Sequence, residues 1–364
     1  MADIIVIGGG IAGISAAAEL AAGADVTVLE GEAQLGYHST GRSAAIFIRN
    51  YGNATLRALN ALAEPVFMAP EGISDSSLLS PRGELLIANE AELPDLEAYI
   101  DGTTGTERLT GAEAAEIVPI LRPELIAGAM IERDARDIDV DRMLQGYARL
   151  LKSRGGRVVT GATVTQITRA DGLWQVSAGG QTHSAPILVN AAGAWADKIA
   201  ELAGVARTGL QPMRRSAALI PAPEGQPCME WPLFGTVAET WYCKPDAGKL
   251  MVSPADEDPV DPHDAWPDDM VLAEGLHRFE QAVTIPVTRV EHSWAGLRSF
   301  TPDRTPVVGY AGDADGFFWL AGQGGYGVQT APALSRLCAA LIAGHAPAVN
   351  APTLAALSPA RFTR

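Results

Sequence analysis

The sequence predicts an α/β fold in which a parallel sheet of the Rossmann type is interrupted by an inserted antiparallel sheet. Three observations predict it. An apolar run, a glycine-rich turn and an alanine-rich helix pattern follow one another at the start of the chain. A second glycine-rich turn, at residues 322–327, precedes another helix pattern. Between them, residues 215–289 alternate short strand patterns with acidic, proline-rich loops, which favours an antiparallel sheet.

The composition indicates a globular protein of about two domains. The chain has 364 residues, of which 47% are hydrophobic and 19% charged, and a domain usually holds roughly 150 residues. A net charge of −16 disfavours nucleic-acid partners and broad docking on anionic membranes. The cysteines and histidines are few and scattered, so we expect no metal site and a reducing, cytoplasmic compartment. Peripheral association with a membrane stays open.

The first elements are a strand at residues 3–7, a helix over residues 14–22 and a second strand at residues 24–29. The first strand is apolar after its first residue, as expected where both faces of a parallel sheet are covered. Up to residue 24 this stretch has one charged side chain beyond the strand's first residue, Glu19. We nevertheless expect neither a signal peptide nor an integral membrane segment, because no Lys or Arg precedes it and consecutive glycines interrupt it.

The turn between the first strand and the helix matches the pattern G-x-G-x-x-G. Gly8 permits a tight turn, Gly10 lets a pyrophosphate approach the backbone, and Gly13 lets the helix pack closely on the sheet. The helix start supplies free N–H donors for an anion. Glu30, at the end of the second strand, can accept hydrogen bonds from ribose hydroxyls, which disfavours a 2′-phosphate. The pattern therefore predicts a dinucleotide, FAD or NAD.

The segment at residues 36–45 helps to separate these two cofactors. It is rich in small and hydroxyl-bearing residues, which can lie along an extended cofactor with Ser and Thr donors on the phosphates and Arg42 as a charge partner. On composition alone a solvated turn fits equally well. In an NAD dehydrogenase the second strand continues into another regular strand–helix unit, which is missing here, so FAD is favoured over NAD.

Further elements follow from the apolar patterns. In the middle of the chain, strands are predicted at residues 155–159, 163–168, 174–176, 186–193, 217–220, 241–244 and 250–253, with a helix at 194–203. Near the end, strands are predicted at residues 307–310 and 317–321, with a helix at 328–343. We assign a discontinuous FAD-binding domain to residues 1–45, 135–210 and 295–364, and the inserted substrate-binding domain to residues 46–134 and 211–294.

Several longer strings carry a resemblance to a known family. GYHSTGRSAA, RRSA, YCKPDAG, WAGLRSF and GQGGYGVQT resemble the FAD-dependent oxidoreductases of the D-amino-acid oxidase superfamily, and within it most closely the bacterial D-arginine dehydrogenases. The resemblance extends from residue 3 to about residue 359. It implies a Rossmann-type FAD-binding domain with an inserted α+β substrate domain, and FAD held without a covalent bond.

The resemblance also implies which residues form the sites. FAD contacts are expected at Gly8, Gly10, Ile11, Ala12, Gly13, Glu30, Ser39, Thr40, Arg42, Ser43, Ala44, Ala45, Val164, Ala192, Gly193, Arg298, Gly324, Gly325, Tyr326, Gly327 and Gln329. Substrate contacts are expected at Arg298, Arg215, Tyr242, Tyr51, Glu84 and Gly325. The two arginines would bind a carboxylate and Glu84 a cationic side chain; without the resemblance, Glu84 would be interpreted as a solvated acid paired with Arg82. No residue is assigned as a catalytic acid or base.

The implied reaction is oxidative deamination of a D-amino acid, either basic (D-Arg, D-Lys) or from a broad range. A hydride passes from Cα to flavin N5, and the imino acid hydrolyses to a 2-oxo acid and ammonia. The alternatives are a secondary amine or 2-hydroxy acid as substrate, an NAD-dependent dehydrogenase, and a non-catalytic flavin-binding subunit. Oxygen, a quinone or a carrier protein could each accept the electrons. One departure bears on the substrate: Ile46 and Phe47 replace a His–Tyr pair of the D-arginine dehydrogenase pattern.

Overall fold

The protein is described from a computed structural model, which covers residues 2–362. In these residues the α-helices are α1 (Ile11–Leu20), α2 (Ala54–Met68), α3 (Leu93–Ile100), α4 (Gly111–Ile117), α5 (Val140–Ser153), α6 (Ala196–Leu202), α7 (Asp269–Ala282), α8 (Gly327–Ile342) and α9 (Ala351–Leu357).

The strands of the first half are β1 (Ile4–Ile7), β2 (Val26–Leu29), β3 (Ile46–Phe47), β4 (Leu79–Pro81), β5 (Glu84–Ala88), β6 (Thr106–Leu109), β7 (Gly128–Glu132), β8 (Arg136–Ile138), β9 (Arg157–Val159), β10 (Val164–Ala170) and β11 (Leu173–Ala178). Those of the second half are β12 (Gln181–Ala185), β13 (Ile187–Asn190), β14 (Gln211–Pro221), β15 (Leu233–Thr236), β16 (Tyr242–Asp246), β17 (Lys249–Ser253), β18 (Asp258–Pro259), β19 (His292–Phe300), β20 (Val307–Tyr310) and β21 (Phe317–Ala321).

The first sheet is the predicted parallel one. Its order is β20-β21-β13-β1-β2-β9, and every neighbouring pair is parallel except β20 with β21. The side chains of β1 alternate between two hydrophobic cores: Ile4 and Val6 belong to one, Ile5 and Ile7 to the other. This two-sided burial explains why the strand is apolar throughout.

A second, larger sheet follows the order β18-β14-β17-β16-β15-β5-β7-β6, with β19 also paired to β14. It is antiparallel as predicted except where β5 lies parallel to β15, with Glu84 beside Leu233. Helices α4 and α7 share a hydrophobic core with this sheet. Two small antiparallel sheets complete the fold, β10-β11-β12 and β3-β8-β4.

The helices cover the parallel sheet as a Rossmann-type unit requires. Helix α1 packs against α5 and α8, and α8 packs against α2. Helix α1 begins at Ile11, three residues before the predicted start, because Gly10 already forms its N-cap. Helix α8 begins at Gly327, one residue before the predicted start.

The hydrophobic cores divide the chain differently from the predicted domain boundaries. Leu56, Leu59 and Phe67 of α2 are buried in the same core as β1 and α1, although residues 46–134 were assigned to the inserted domain. Apolar side chains between Phe47 and Leu79 therefore pack in one contiguous core with the parallel sheet. The predicted boundary at residue 295 also falls inside β19, which pairs with β14 along its whole length.

Within residues 2–362 no helix combines the length and the apolar character needed to cross a membrane. The charge-poor N-terminal stretch forms β1 and α1, both buried against the rest of the protein.

Candidate active site

Two adjoining cavities lie where the parallel sheet meets the large sheet. The first, called the nucleotide cavity, has a volume of about 340 Å³ and is lined by the Gly8–Ala12 turn, Glu30, Val164 and the Ala191–Trp195 turn. The second, called the arginine cavity, has a volume of about 210 Å³ and is lined by Arg215 and Arg298 among others. Ile11, Ser39, Thr40, Leu297, Gly324 and Gly327 line both cavities. The two cavities therefore meet and form one extended space.

The glycines of the first turn are required by close packing. A Cβ on Gly13 would lie 1.9 Å from the carbonyl oxygen of Gly8, and one on Gly8 would lie 2.3 Å from the oxygen of Ala191. Gly8 also has a φ of +113°, a conformation that side chains disfavour. Because these residues stay small, β1, α1 and the turn after β13 approach closely beside the nucleotide cavity. This arrangement suits a bound pyrophosphate.

Polar groups in the nucleotide cavity also fit a dinucleotide. The N-cap of helix α1 is Gly10, which has no side chain to occupy the first N–H groups of the helix. One of these groups, the Ile11 N–H, donates to Thr40 Oγ1 at 3.0 Å. Ser299 lines this cavity, and its hydroxyl is buried without a hydrogen-bond partner among residues 2–362. A buried hydroxyl without a partner is costly, so an additional ligand group at this place would satisfy it. The lining of the cavity therefore fits FAD in its chemistry.

Glu30 lies at the end of β2, as predicted, and lines the nucleotide cavity. Its Oε2 accepts a hydrogen bond from the Gly9 N–H, and its Oε1 accepts one from the Glu32 N–H at 2.7 Å. These bonds fix the direction of the carboxylate. Each oxygen keeps a lone pair, so the predicted contact to a ribose hydroxyl is compatible with this geometry.

The predicted role of the Arg42 side chain needs correction. Arg42 was expected to pair with phosphate, yet its Nη2 binds Asp264 at 2.5 Å and its Nη1 donates to the carbonyl oxygens of Ala265 and Ala295. Its Nε donates to the carbonyl oxygen of Tyr37. All three guanidinium nitrogens are therefore engaged within the protein. The side chain fastens the loop at residues 36–45 to the strand β19 instead of facing a phosphate.

The second glycine-rich turn lies at the junction of the two cavities. Gly324 has a φ of +54°, and a Cβ there would lie 2.1 Å from the Phe300 ring. Helix α8 begins directly after this turn, without a side-chain cap from Tyr326. Its free N–H groups and positive dipole end therefore lie beside the place where the cavities meet, which favours a negative charge there.

Most of the predicted FAD-contact residues line one of the two cavities. The nucleotide cavity contains Gly8, Gly10, Ile11, Ala12, Glu30, Ser39, Thr40, Val164, Ala192, Gly193, Gly324 and Gly327. The arginine cavity contains Arg42, Ser43, Ala44, Ala45, Arg298, Gly325 and Gln329. Gly13 and Tyr326 line neither cavity: Gly13 packs on Gly8, and the Tyr326 ring lies 4.8 Å from that of Tyr51. The Gln329 amide is bonded to Asn60 and to the Ile48 N–H.

The predicted substrate residues come together in the arginine cavity, which Arg298, Arg215, Tyr242, Tyr51, Glu84 and Gly325 all line. The Arg298 side chain forms no hydrogen bond or ion pair with any residue between 2 and 362, although its backbone belongs to β19. Burial alone would lower the pKa of Arg298, but the neighbouring Tyr242 and Tyr51 and two carboxylates raise it above its ordinary value. An unpaired, permanently charged guanidinium therefore faces the cavity, ready for a carboxylate.

Arg215 is more constrained than Arg298. Its side chain is 7% exposed. Its Nε donates to the Asp256 carbonyl oxygen at 2.8 Å, and its Nη2 donates to Glu257 Oε1 at 3.0 Å. The remaining nitrogen, Nη1, is left for a ligand. Arg298 can therefore bind a carboxylate with two parallel hydrogen bonds, whereas Arg215 can donate one more from Nη1.

At another part of the same cavity lies Glu84, on β5. Glu84 is buried, at 4% exposure, and Tyr99 Oη donates to its Oε2 at 3.4 Å. Within residues 2–362 no cationic side chain pairs with it. Arg82, its partner in the alternative interpretation, binds Asp137 at 2.6 Å instead. Burial, together with the charges of Glu132 and Glu239, raises the pKa of Glu84 well above its ordinary value.

Other lining residues were not predicted from the sequence. They are a second acid, Glu239, and the aromatic and aliphatic side chains Tyr99, Trp241, Leu86, Leu233 and Val237. Glu239 has a φ of +49°, which is unusual outside glycine. An acid amid apolar residues in the string GTVAETW was the signal that could have identified it. Of the pair that departs from the D-arginine dehydrogenase pattern, Ile46 lines the cavity, whereas Phe47 packs on Phe67 in the core.

Across residues 2–362 no group of three or more His, Cys, Asp or Glu side chains is arranged to hold a metal ion. Two aspartates near β8 are engaged by groups of the protein itself. Asp137 pairs with Lys244 at 3.0 Å as well as with Arg82, and Asp139 caps α5 by accepting from the Arg142 N–H.

Comparisons with known proteins all point to the same family. The sequence model of the family described as "FAD dependent oxidoreductase" (DAO) matches residues 3–341. The mouse (Mus musculus) "FAD-dependent oxidoreductase domain-containing protein 1" is 26% identical over 440 residues, which cover 100% of this chain and 84% of that protein. The glycine oxidase of Geobacillus kaustophilus (strain HTA426) is 26% identical over 266 residues, which cover 71% of this chain and 68% of that enzyme.

Solved structures agree. The crystal structure of glycine oxidase from Geobacillus kaustophilus superposes with a TM-score of 0.85 and 24% identity, covering 100% of this chain and 98% of that one. L-proline dehydrogenase from P. horikoshii gives a TM-score of 0.85 and 23% identity, covering 99% and 97%. At these identities the structures establish the fold. None of these relatives is named as a D-arginine dehydrogenase, so that narrower resemblance stays a proposal. Because the family match spans both glycine-rich turns, the chain belongs to the DAO family of FAD-dependent oxidoreductases.

Proposed function

We propose that the protein oxidises a D-amino acid that carries a cationic side chain, such as D-arginine or D-lysine. The observation that carries this proposal is that one cavity holds both an unpaired guanidinium and a buried carboxyl group without a cation. Arg298 offers a guanidinium without an ion-pair partner among residues 2–362, and the same cavity buries Glu84 without a cation. A zwitterion with an additional positive end would satisfy both. The D configuration rests on the sequence resemblance.

The carboxylate end of the substrate is assigned to the two arginines. A bidentate contact from Arg298 would fix the orientation of the α-carbon, and the free Nη1 of Arg215 would add one hydrogen bond. Tyr51 and Tyr242 line the same cavity. Burial raises the pKa of Tyr51 above its ordinary value, with Glu239 adding to this effect. Tyr51 therefore stays a neutral phenol that can donate a hydrogen bond to a carboxylate.

The side-chain end is assigned to Glu84. A buried carboxylate without a cation is unfavourable in its charged form, and an incoming ammonium or guanidinium would replace the lost solvation. Glu239 adds negative charge to this cavity. Leu86, Leu233 and Trp241 supply apolar surface along which the methylene groups of a long side chain can lie.

FAD, when bound, supplies the oxidising chemistry by accepting the hydride that leaves the α-carbon of the substrate. The protein's own contribution is positioning. The arginines hold the carboxylate, Glu84 holds the distal charge, and these two anchors fix the α-carbon between them. The start of α8 stabilises negative charge at the junction of the cavities. No side chain is assigned as a base, since oxidation of a neutral amine requires alignment more than proton removal by the protein.

Anaerobic mixing tests this proposal. The purified flavoprotein is mixed with D-arginine, D-lysine, their L-enantiomers and a panel of neutral D-amino acids, and the visible flavin absorption is followed. We expect rapid bleaching by the two basic D-amino acids and slower bleaching by the neutral ones. No bleaching by any D-amino acid would overturn the proposal. Admitting air or a quinone afterwards would identify the electron acceptor, and oxygen, a quinone and a carrier protein are all compatible with the family.

A secondary amine is the second candidate substrate. One of the structural relatives is an L-proline dehydrogenase, and its name specifies a substrate of that class. The carboxylate contact proposed for Arg298 would serve such a substrate, or a 2-hydroxy acid, equally well. Including L-proline, sarcosine, glycine and 2-hydroxyglutarate in the same panel distinguishes these candidates, because only a primary amine releases ammonia.

We also propose that FAD is bound without a covalent link. Cys228, Cys243 and Cys338 are buried in hydrophobic cores and none of them lines either cavity. Precipitation with acid should therefore release the flavin into the supernatant, and retention in the pellet would contradict this expectation.

A further inference from the structure

Glu257 connects the arginine cavity to the surface of the protein. Its Oε1 accepts a hydrogen bond from Arg215 Nη2 at 3.0 Å and another from Arg304 Nη2 at 2.8 Å. Its Oε2 accepts from the same Arg304 nitrogen at 3.0 Å. The Arg304 side chain is 47% exposed and that of Glu257 30%. One carboxylate is thus shared between a buried arginine in the cavity and a second arginine outside it.

Arg304 occupies a backbone conformation that is unfavourable for its residue type. Its φ is +56°, in the left-handed region that favours glycine. The turn that contains it is held by other residues: Asp303 Oδ1 accepts from the Thr305 N–H, and Asp303 also pairs with Arg361. Glycine would therefore suit the turn itself better. A strained residue that persists in a fixed turn indicates that its side chain has a role.

The contacts of the Arg304 side chain identify this role. Its guanidinium carbon lies 3.8 Å from the centre of the Phe300 ring. The Phe300 ring in turn packs against Gly324, at the junction of the two cavities, and contacts Tyr326 edge to face. The guanidinium is therefore fixed on an aromatic face while it binds Glu257, which places it between the surface and the substrate site.

We propose that Arg304 is a positioning residue of the substrate site: it holds the Glu257 carboxylate, and thereby keeps the guanidinium of Arg215 oriented and available to a substrate carboxylate. This inference rests on the function proposed above for the arginine cavity. Without Arg304, Glu257 would keep its hydrogen bond from Arg215 and would lose its ion pair with Arg304. It would then pair fully with Arg215 and neutralise the charge that a substrate carboxylate needs.

A double-mutant cycle on the holoenzyme tests this proposal. The variants are Arg304→Asn, Glu257→Gln and the double variant, because asparagine tolerates the left-handed conformation. The probe is propionate, a carboxylate without an oxidisable amine, titrated against the visible flavin spectrum. We expect Arg304→Asn to raise the Kd for propionate by about tenfold. In the Glu257→Gln background, where Arg215 has already lost its carboxylate partner, the same change should alter the Kd by less than about twofold.

Two further variants serve as controls. Arg207→Asn removes an exposed arginine that pairs with Glu201, away from both cavities, and should leave the Kd unchanged. Arg304→Lys keeps the charge but not the planar guanidinium group, and should give an intermediate Kd. If Arg304→Asn fails to retain flavin, Arg304→Lys takes its place in the double-mutant cycle. Equal Kd changes in both backgrounds, or no change at all, would overturn the positioning role. If the unmodified protein does not bind propionate, the carboxylate site itself is contradicted, which separates the two failures.

Discussion

Glu84 stands apart from the other acids of this chain because it is buried beside two more carboxylates. It lies opposite Glu132 in the pairing of β5 with β7, and like charges in that position destabilise a sheet. Glu132 accepts hydrogen bonds from the Arg49 N–H and from Asn50, whereas Glu84 accepts one long bond from Tyr99. In the absence of a cation, the neutral acid is therefore the favoured form of Glu84.

This leads to a prediction about the pH dependence of stability. The pKa of Glu84 is raised in the folded protein, so its contribution to stability is complete below the unfolded pKa of about 4.3. That contribution is lost as pH rises from the unfolded pKa through the folded pKa, since between these two values the folded state holds a proton that the unfolded chain has released. Glutamine cannot ionise. The Tm of Glu84→Gln relative to the unmodified holoenzyme should therefore increase by a few degrees between pH 4 and pH 8, measured by calorimetry.

Glu107→Gln is the matched control. Glu107 lies on β6 of the same sheet, is exposed, and pairs with Arg133. Exposed pairs contribute little to stability, so its Tm difference should stay within roughly 1 °C over the same pH range. An equally small Tm difference for Glu84→Gln would contradict the raised pKa of Glu84 in the folded protein.

Ser299 allows a separate test of the cofactor site. Its hydroxyl is buried without a partner among residues 2–362, and the residue lines the nucleotide cavity. If FAD supplies that partner, Ser299→Ala should raise the Kd of the apoprotein for FAD by roughly three- to tenfold, the value of one hydrogen bond. Quenching of flavin fluorescence measures this Kd. Ser293→Ala, on the same strand, should leave it unchanged, and an unchanged Kd for Ser299→Ala would remove this hydroxyl from the FAD site.

At the scale of the elements, the shape of the nucleotide cavity depends on the close contact between α1 and the turn after β1. A Cβ on Gly13 would lie 1.9 Å from the Gly8 carbonyl oxygen, whereas one on Gly23 meets nothing within 4 Å. Gly13→Ala must therefore displace the helix, and we expect it to lose FAD during purification and to unfold at lower temperature. Gly23→Ala should retain FAD and change stability by less than about 1 kcal/mol. Flavin-to-protein ratios measure both, and full FAD occupancy in Gly13→Ala would contradict this account of the turn.

Local signals explain which elements were predictable from the sequence. β1, α1 and β2 follow each other within 30 residues, and the glycine spacing that joins them is itself a local pattern. The position of Glu84 is different, because it depends on the pairing of β5 with β15, where Glu84 lies beside Leu233. No local pattern encodes a pairing between segments so far apart. The resemblance to a family supplied Glu84, whereas it did not supply Glu239 and Tyr99, which were missed.

The same reasoning applies to α2. Its apolar face resembles that of any surface helix, and its position after the FAD loop suggested the inserted domain. Only the packing of Leu56, Leu59 and Phe67 in the core of the parallel sheet shows where it belongs. Side chains such as Arg42 are also unpredictable, because a phosphate and the Asp264 carboxylate are equally suitable partners for a guanidinium.

The whole molecule is organised around a cavity that distant segments share. Residues from Ile7 to Gly327 line the nucleotide cavity, so we expect FAD bound there to contact elements from both ends of the chain. Removing FAD should therefore lower the Tm of the whole protein, and restoring it at 100 times its Kd should recover about 2.7 kcal/mol of stability. NAD at the same concentration should recover none. Equal recovery with NAD would contradict the assignment of this cavity to FAD.

The central claim is that the protein recognises an amino acid by both of its charged ends. D-lysine and D-norleucine differ by the distal ammonium, so the ratio of their kcat/KM values measures the contribution of that charge, and its change in Glu84→Gln measures the share of Glu84. We predict that the unmodified enzyme favours D-lysine by roughly 30-fold or more, as expected for a buried charge pair. In Glu84→Gln this ratio should fall to near one. A ratio near one in the unmodified enzyme, or one that survives in Glu84→Gln, would contradict the account.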